Sequence, residues 1–208
     1  MQHKEIRIGQ LPTSEKEIID LAKAWIAISI AFAILINGFD FSSKFIFAFI
    51  ISAFTVGTGF LVHELAHKIV AQHYGCFAEF RSFDTMLLLA LAMSFFGFVF
   101  AAPGAVMIQG TVGRRRNGKI SMAGPLTNLI FALVFLLGLF VFKTGAVHTI
   151  AFYGFIINSW LALFNMLPFW NFDGKKIFEW NKVVYGAMVV VSVLFLVVQN
   201  VARSKGWF

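Results

Sequence analysis

Runs of about twenty apolar residues recur along this chain of 208 residues, and each must be wrapped by protein or sit in lipid. Clear runs cover 18–36, 45–74, 120–142, 149–167 and 183–202, and a sixth, 86–107, is broken by Pro103-Gly104. With 59% hydrophobic residues, 13% charged and a mean hydropathy of +0.82, the chain lies outside ordinary soluble composition. The pattern predicts an all-α polytopic membrane protein with about five to six transmembrane helices. A short re-entrant or β-hairpin segment is expected around 86–112, and residues 1–208 read as a single membrane-embedded domain. Ser14-Glu15-Lys16-Glu17 has the spacing of a capping box, which starts the first helix. The net charge of +7 reads as a topology signal and headgroup contact, so no nucleic-acid partner is expected. A single cysteine, Cys76, excludes an internal disulfide and reads as a packing residue. No cleavable signal peptide and no internal repeat is visible.

Inside the second run stands Phe60-Leu61-Val62-His63-Glu64-Leu65-Ala66-His67-Lys68. Ionisable groups at bilayer depth cost about 2.5–3.5 kcal/mol each on insertion scales, so they mark function by default. On a helix, His63 and His67 fall one turn apart on one face and can grip one metal ion. Glu64, adjacent to the first ligand, can reach a water at the metal and act as general base. The small residues Ser52, Ala53, Gly57 and Gly59 upstream predict close approach of another backbone.

A third ligand must come from elsewhere. His73 lies six residues past His67, on another face, and His148 beside a turn at the far end of its run. Glu79, Asp84 and Glu179 read as loop residues. Asp173 stands out: it follows the run ending in Asn165 and Pro168, where proline breaks the helix and Gly174 frees the backbone. An irregular polar segment at membrane depth is tolerated only where it lines a protein cavity.

Topology tests this choice. If His63, His67 and Asp173 share one depth, runs 45–74 and 149–167 are parallel and 120–142 is antiparallel to them. Residues 75–119 then begin and end on one side, and 86–107 dips in and returns. Outside the runs, this arrangement places eleven Lys and Arg on one side and four on the other; a full crossing gives seven against eight. The positive-inside rule therefore favours the dip, with the N-terminus and the metal site toward the cytoplasm of a cell membrane. Asn128 and Asn158 read as interhelical hydrogen bonders, and Trp25, Trp160, Trp180 and Trp207 as lipid-facing bulk and interface anchors.

Together, His63-Glu64-Leu65-Ala66-His67 and Asn165-Met166-Leu167-Pro168-Phe169-Trp170-Asn171-Phe172-Asp173-Gly174 resemble the site-2 protease family of intramembrane zinc metalloproteases. Gly124-Pro125-Leu126-Thr127-Asn128 is similar to the start of that family's third core helix. The resemblance covers about residues 45–175. It departs at Trp170, where the family's second motif has a proline. It implies one zinc ion per chain held by His63, His67 and Asp173, with Glu64 as general base and Asn165 holding the substrate backbone. It also implies a membrane-embedded β-hairpin, which suits 100–112, and hydrolysis of peptide bonds in transmembrane protein substrates within the lipid bilayer. An unwound substrate is expected to add as a strand to the 100–112 edge, near Val106 and Ile108. Two alternatives remain: a zinc protease with a glutamate ligand, for which Glu179 is poorly placed, and a non-catalytic metal-binding protein or transporter. The pattern assigns no oligomeric state.

Overall fold

A computed structural model describes residues 5–8, 11–99 and 103–204. Five helices are long and apolar enough to cross a membrane: Glu15–Asn37, Ser43–His73, Arg114–Val141, Gly145–Asn165 and Lys182–Ser204. They match the five clear runs, and two small antiparallel strand pairs accompany them. The chain groups into two compact units, Met1–Gly110 and Thr111–Phe208.

In the first unit, strands β1 (Glu5–Ile8) and β2 (Leu11–Ser14) pair antiparallel and lead into helix α1 (Glu15–Asn37). Ser14 caps α1 by accepting from the Glu17 N–H at 3.2 Å. The capping box is only half formed, because the Glu17 carboxylate turns away to other partners. Gly38, at φ 78°, closes α1 and begins the expected turn.

The second span is a helix in three parts: α2 (Ser43–Ser52), a π-helical turn at Ala53–Gly57, and α3 (Thr58–His73). A π turn takes one residue more than an α turn, so the Ala53 carbonyl accepts from the N–H of Thr58, five residues on. Here the Ala53 carbonyl accepts from the Thr58 hydroxyl at 3.0 Å and from the Trp25 indole of α1 at 3.2 Å. Trp25 is thus a packing residue of this joint, not the lipid-facing bulk its type suggested.

Strand β3 (Phe77–Ser82) pairs with β4 (Gly104–Gln109), with helix α4 (Asp84–Ser94) between them. Ser82 lies opposite Gly104, so the chain that leaves through α4 comes back beside its departure point. The chain returns as expected, and a strand falls inside 86–112. Its partner strand is β3, a segment that had read as loop because Glu79 and Arg81 interrupt its apolar pattern. Residues 100–102 lie outside those described.

In the second unit, α5 (Arg114–Val141) carries Pro125 without breaking, and α6 (Gly145–Asn165) packs along it. The fully buried Asn128 donates to Asn158 at 3.0 Å across this pair, and Asn158 donates to the Gly154 carbonyl at 2.9 Å. Both asparagines act as the interhelical links their positions implied. Helix α7 (Asp173–Trp180) follows, and then α8 (Lys182–Ser204). Trp180 covers Gly118 of α5 so closely that a side chain there would overlap it, so this tryptophan too is a packing residue. Glu179 lies within α7 instead of in a loop.

Candidate metal centre

The first unit carries the histidine pair. His63 and His67, both buried, project from α3 with their Nε2 atoms 3.0 Å apart. The rings meet edge to face, with centroids 4.7 Å apart at 85°. Two ligands at about 2.0–2.1 Å from one zinc, in tetrahedral array, lie roughly 3.3 Å apart. The paired nitrogens therefore fit a shared cation, and imidazole is a donor that zinc favours. Glu64, also buried, follows on the same helix, about 100° further round.

Lys68, the next residue in the motif, is equally buried and forms an ion pair with Glu17, its Nζ 2.5 Å from Oε2. Glu17 was hidden from sequence reading because its spacing from Ser14 had already explained it as a helix cap. A carboxylate at the mouth of the first apolar run, with a lysine inside the second, was the available signal.

The second unit carries the other two candidates. Asn165 is the last residue of α6, and its side-chain amide donates to the Leu161 carbonyl at 2.9 Å. Asp173 is the first residue of α7, buried, with Lys176 of the next turn at 3.7 Å. Between them, Met166 to Phe172 form a tight reversal. Gly174 lies against the Met166 backbone: a Cβ there would fall 2.2 Å from the Met166 oxygen. The Asn165 end and the Asp173 end are therefore held together by a contact only glycine permits. Trp170 adopts φ 52°, the left-handed region. A proline, fixed near about −65°, could not occupy this backbone. The departure at Trp170 is thus a differently shaped loop and not a mere exchange of side chains.

His73 is exposed and stacks edgewise on Tyr74, as its position beyond the motif face suggested. Glu79 lies in β3, paired with Arg81, and Asp84 opens α4, bound to Lys23 at 2.6 Å and Ser82 at 3.0 Å. The hydrogen bonds from Lys23 and then Ser82 hold the Asp84 carboxyl below the usual carboxylate range.

No family model matches the chain, and no solved structure matches it. A protein of Methanocaldococcus jannaschii, provisionally named a zinc metalloprotease, is 42% identical over 175 residues, which cover 83% of this chain and 88% of that protein.

Proposed function

This chain belongs to the family of that archaeal zinc metalloprotease, and from this premise we propose that it is a zinc endopeptidase of the site-2 type, cutting membrane-protein substrates in or near their transmembrane segments. The observation that carries the proposal is the convergence of His63 Nε2 and His67 Nε2 within a helix apolar enough to cross a membrane. Asp173 is the third ligand in this scheme, a carboxylate buried at a glycine-fixed turn. Zinc bound there would supply Lewis-acid polarisation of the scissile carbonyl and lower the pKa of a water.

Glu64 takes the proton of the attacking water and passes it to the leaving amine, so one carboxylate serves as base and then acid. Asn165 holds substrate backbone near the turn. The substrate, unwound from its helix, pairs along β4, whose other side, among the described residues, meets no strand. Placement of the site and the N-terminus toward the cytoplasm of a cell membrane completes the proposal, supported by the eleven-to-four distribution of basic residues.

The test is purified wild type against Glu64→Gln on single-span peptides in liposomes, with zinc content measured for both. Wild type should cleave, and the variant should bind zinc but cut nothing. A variant that still cleaves removes Glu64 as the base. A wild type that carries zinc and cuts no peptide favours the metal-binding alternative.

A further inference from the structure

Glu17 is the one carboxylate of α1 with no exposed surface, and the proposed chemistry makes no use of it. Its two oxygens are committed to different elements. Oε2 accepts from Lys68 Nζ of α3 and from the Thr13 hydroxyl of β2, each at 2.5 Å. Oε1 accepts from the Phe80 N–H of β3 at 2.9 Å. Lys68, 3% exposed, follows directly on His67.

A buried ion pair is a poor means of stabilising a fold, because desolvation of both charges offsets most of their attraction. What it supplies is direction. The apolar contact between the same elements, Phe60 of α3 edge-on to Phe80 at 5.7 Å, sets how closely helix and strand approach but resists sliding weakly. The carboxylate bonds resist sliding in both senses, since one oxygen is tied to the metal-motif helix and the other to the strand.

Rotation of the strand pair is fixed with it. The Phe80 N–H and the Ala78 carbonyl, which accepts from Gln72 at 3.1 Å, both point away from β4. The outer side of β3 is thereby filled by α1 and α3 side chains, and among the described residues β4 is the strand of this pair left with an edge to offer. By the antiparallel register, Val106 and Ile108, opposite Phe80 and Ala78, direct their N–H groups to that edge.

We propose that Glu17 is a positioning residue that fixes the register of the β3–β4 pair against the His63–His67 helix, and so the alignment of a docked substrate strand with the metal site. The catalytic consequence rests on the protease reading above; the register itself does not.

The experiment uses the double variant Glu17→Gln/Lys68→Met. It removes both charges together, keeps an amide oxygen for Phe80 and leaves no uncompensated ion. Spin labels at the exposed Ile69 of α3 and Met107 of β4 report the register, and zinc content reports the fold. The expected result is full zinc content with a broadened or shifted label distance. Cleavage of a substrate long enough to pair along β4 should fall at least about tenfold in kcat/KM, while that of a short peptide covering only the scissile bond changes less than about twofold.

An unchanged label distance overturns the proposal, whatever the kinetics. A moved distance with equal loss on both peptides overturns the alignment role. A moved distance in a protein whose wild type cuts nothing leaves the register role standing and removes the protease reading alone.

Discussion

The indole of Trp25 packs on Gly57, where a Cβ would fall 2.7 Å from Nε1, and that same Nε1 donates to the Ala53 carbonyl at the start of the π turn. Glycine is required here by proximity and not by dihedral angle. Ser29 Oγ, also 2.7 Å from the ideal Cβ position, blocks the other direction. Gly57→Val should therefore push α1 off the turn that precedes the histidine motif, costing about 1–3 kcal/mol as other overpacked sites do. Thermal unfolding in detergent measures the loss, and a changed Trp fluorescence spectrum places it at this joint. An unaltered melting temperature would show that the joint yields freely.

At the other candidate ligand the contact is with backbone, which yields less. Gly174→Ala brings a methyl against the Met166 carbonyl and must open the turn that holds Asp173. The variant should lose zinc about as fully as Asp173→Ala does, measured as metal per chain after gel filtration. Full zinc content in Gly174→Ala would separate the turn from metal binding.

Trp170 gives a test with opposite signs. Its φ of 52° costs a bulky residue about 1–2 kcal/mol, a cost glycine escapes. Trp170→Gly should be close to neutral or mildly stabilising, the relief set against lost contacts with its surroundings. Trp170→Pro, although it brings the sequence nearer the resembled motif, should be clearly destabilising and should lower zinc content. Paired unfolding curves decide it, and a more stable proline variant would contradict the loop geometry.

Proline can also probe the strand edge. The Val106 N–H is directed away from β3, so Val106→Pro leaves the β3–β4 ladder intact and removes one donor from the docking edge. Cleavage should fall roughly fivefold to tenfold, the worth of about one hydrogen bond, with zinc content unchanged. Met107→Pro, one residue on, removes a donor from the ladder itself and should instead destabilise the first unit. Equal behaviour of the two variants would put the register in error.

The pH dependence centres on Asp84, whose carboxyl is held low by Lys23 and then by Ser82. A carboxyl depressed in the folded state adds stability above its unfolded pKa, about 3.9, and loses it as pH falls through the folded value. Asp84→Asn should therefore lower the melting temperature at pH 7 and converge on wild type toward pH 3. The check is the difference in melting temperature across that range. A constant difference would mean the effect is packing and not charge.

The order of spans, the histidine–glutamate motif and the candidacy of Asp173 follow from the sequence alone, because each is written in local pattern. Apolar run length sets a span, helical spacing of four puts His63 and His67 on one face, and proline and glycine punctuate the turn before Asp173. The asparagine link between α5 and α6 was legible for the same reason: a lone amide in an apolar run needs a partner. What only the tertiary structure decided are relationships between residues far apart in the chain. β3 takes its partner from across α4, Glu17 leaves its cap to meet Lys68 and Phe80, and Trp25 is drawn from the lipid face to the Ala53 carbonyl of the π turn. For Glu17 a local rule named a use for the side chain, and buried polar groups elsewhere, costlier to leave unbonded, claimed it instead; the other two depend on which elements the fold brings side by side.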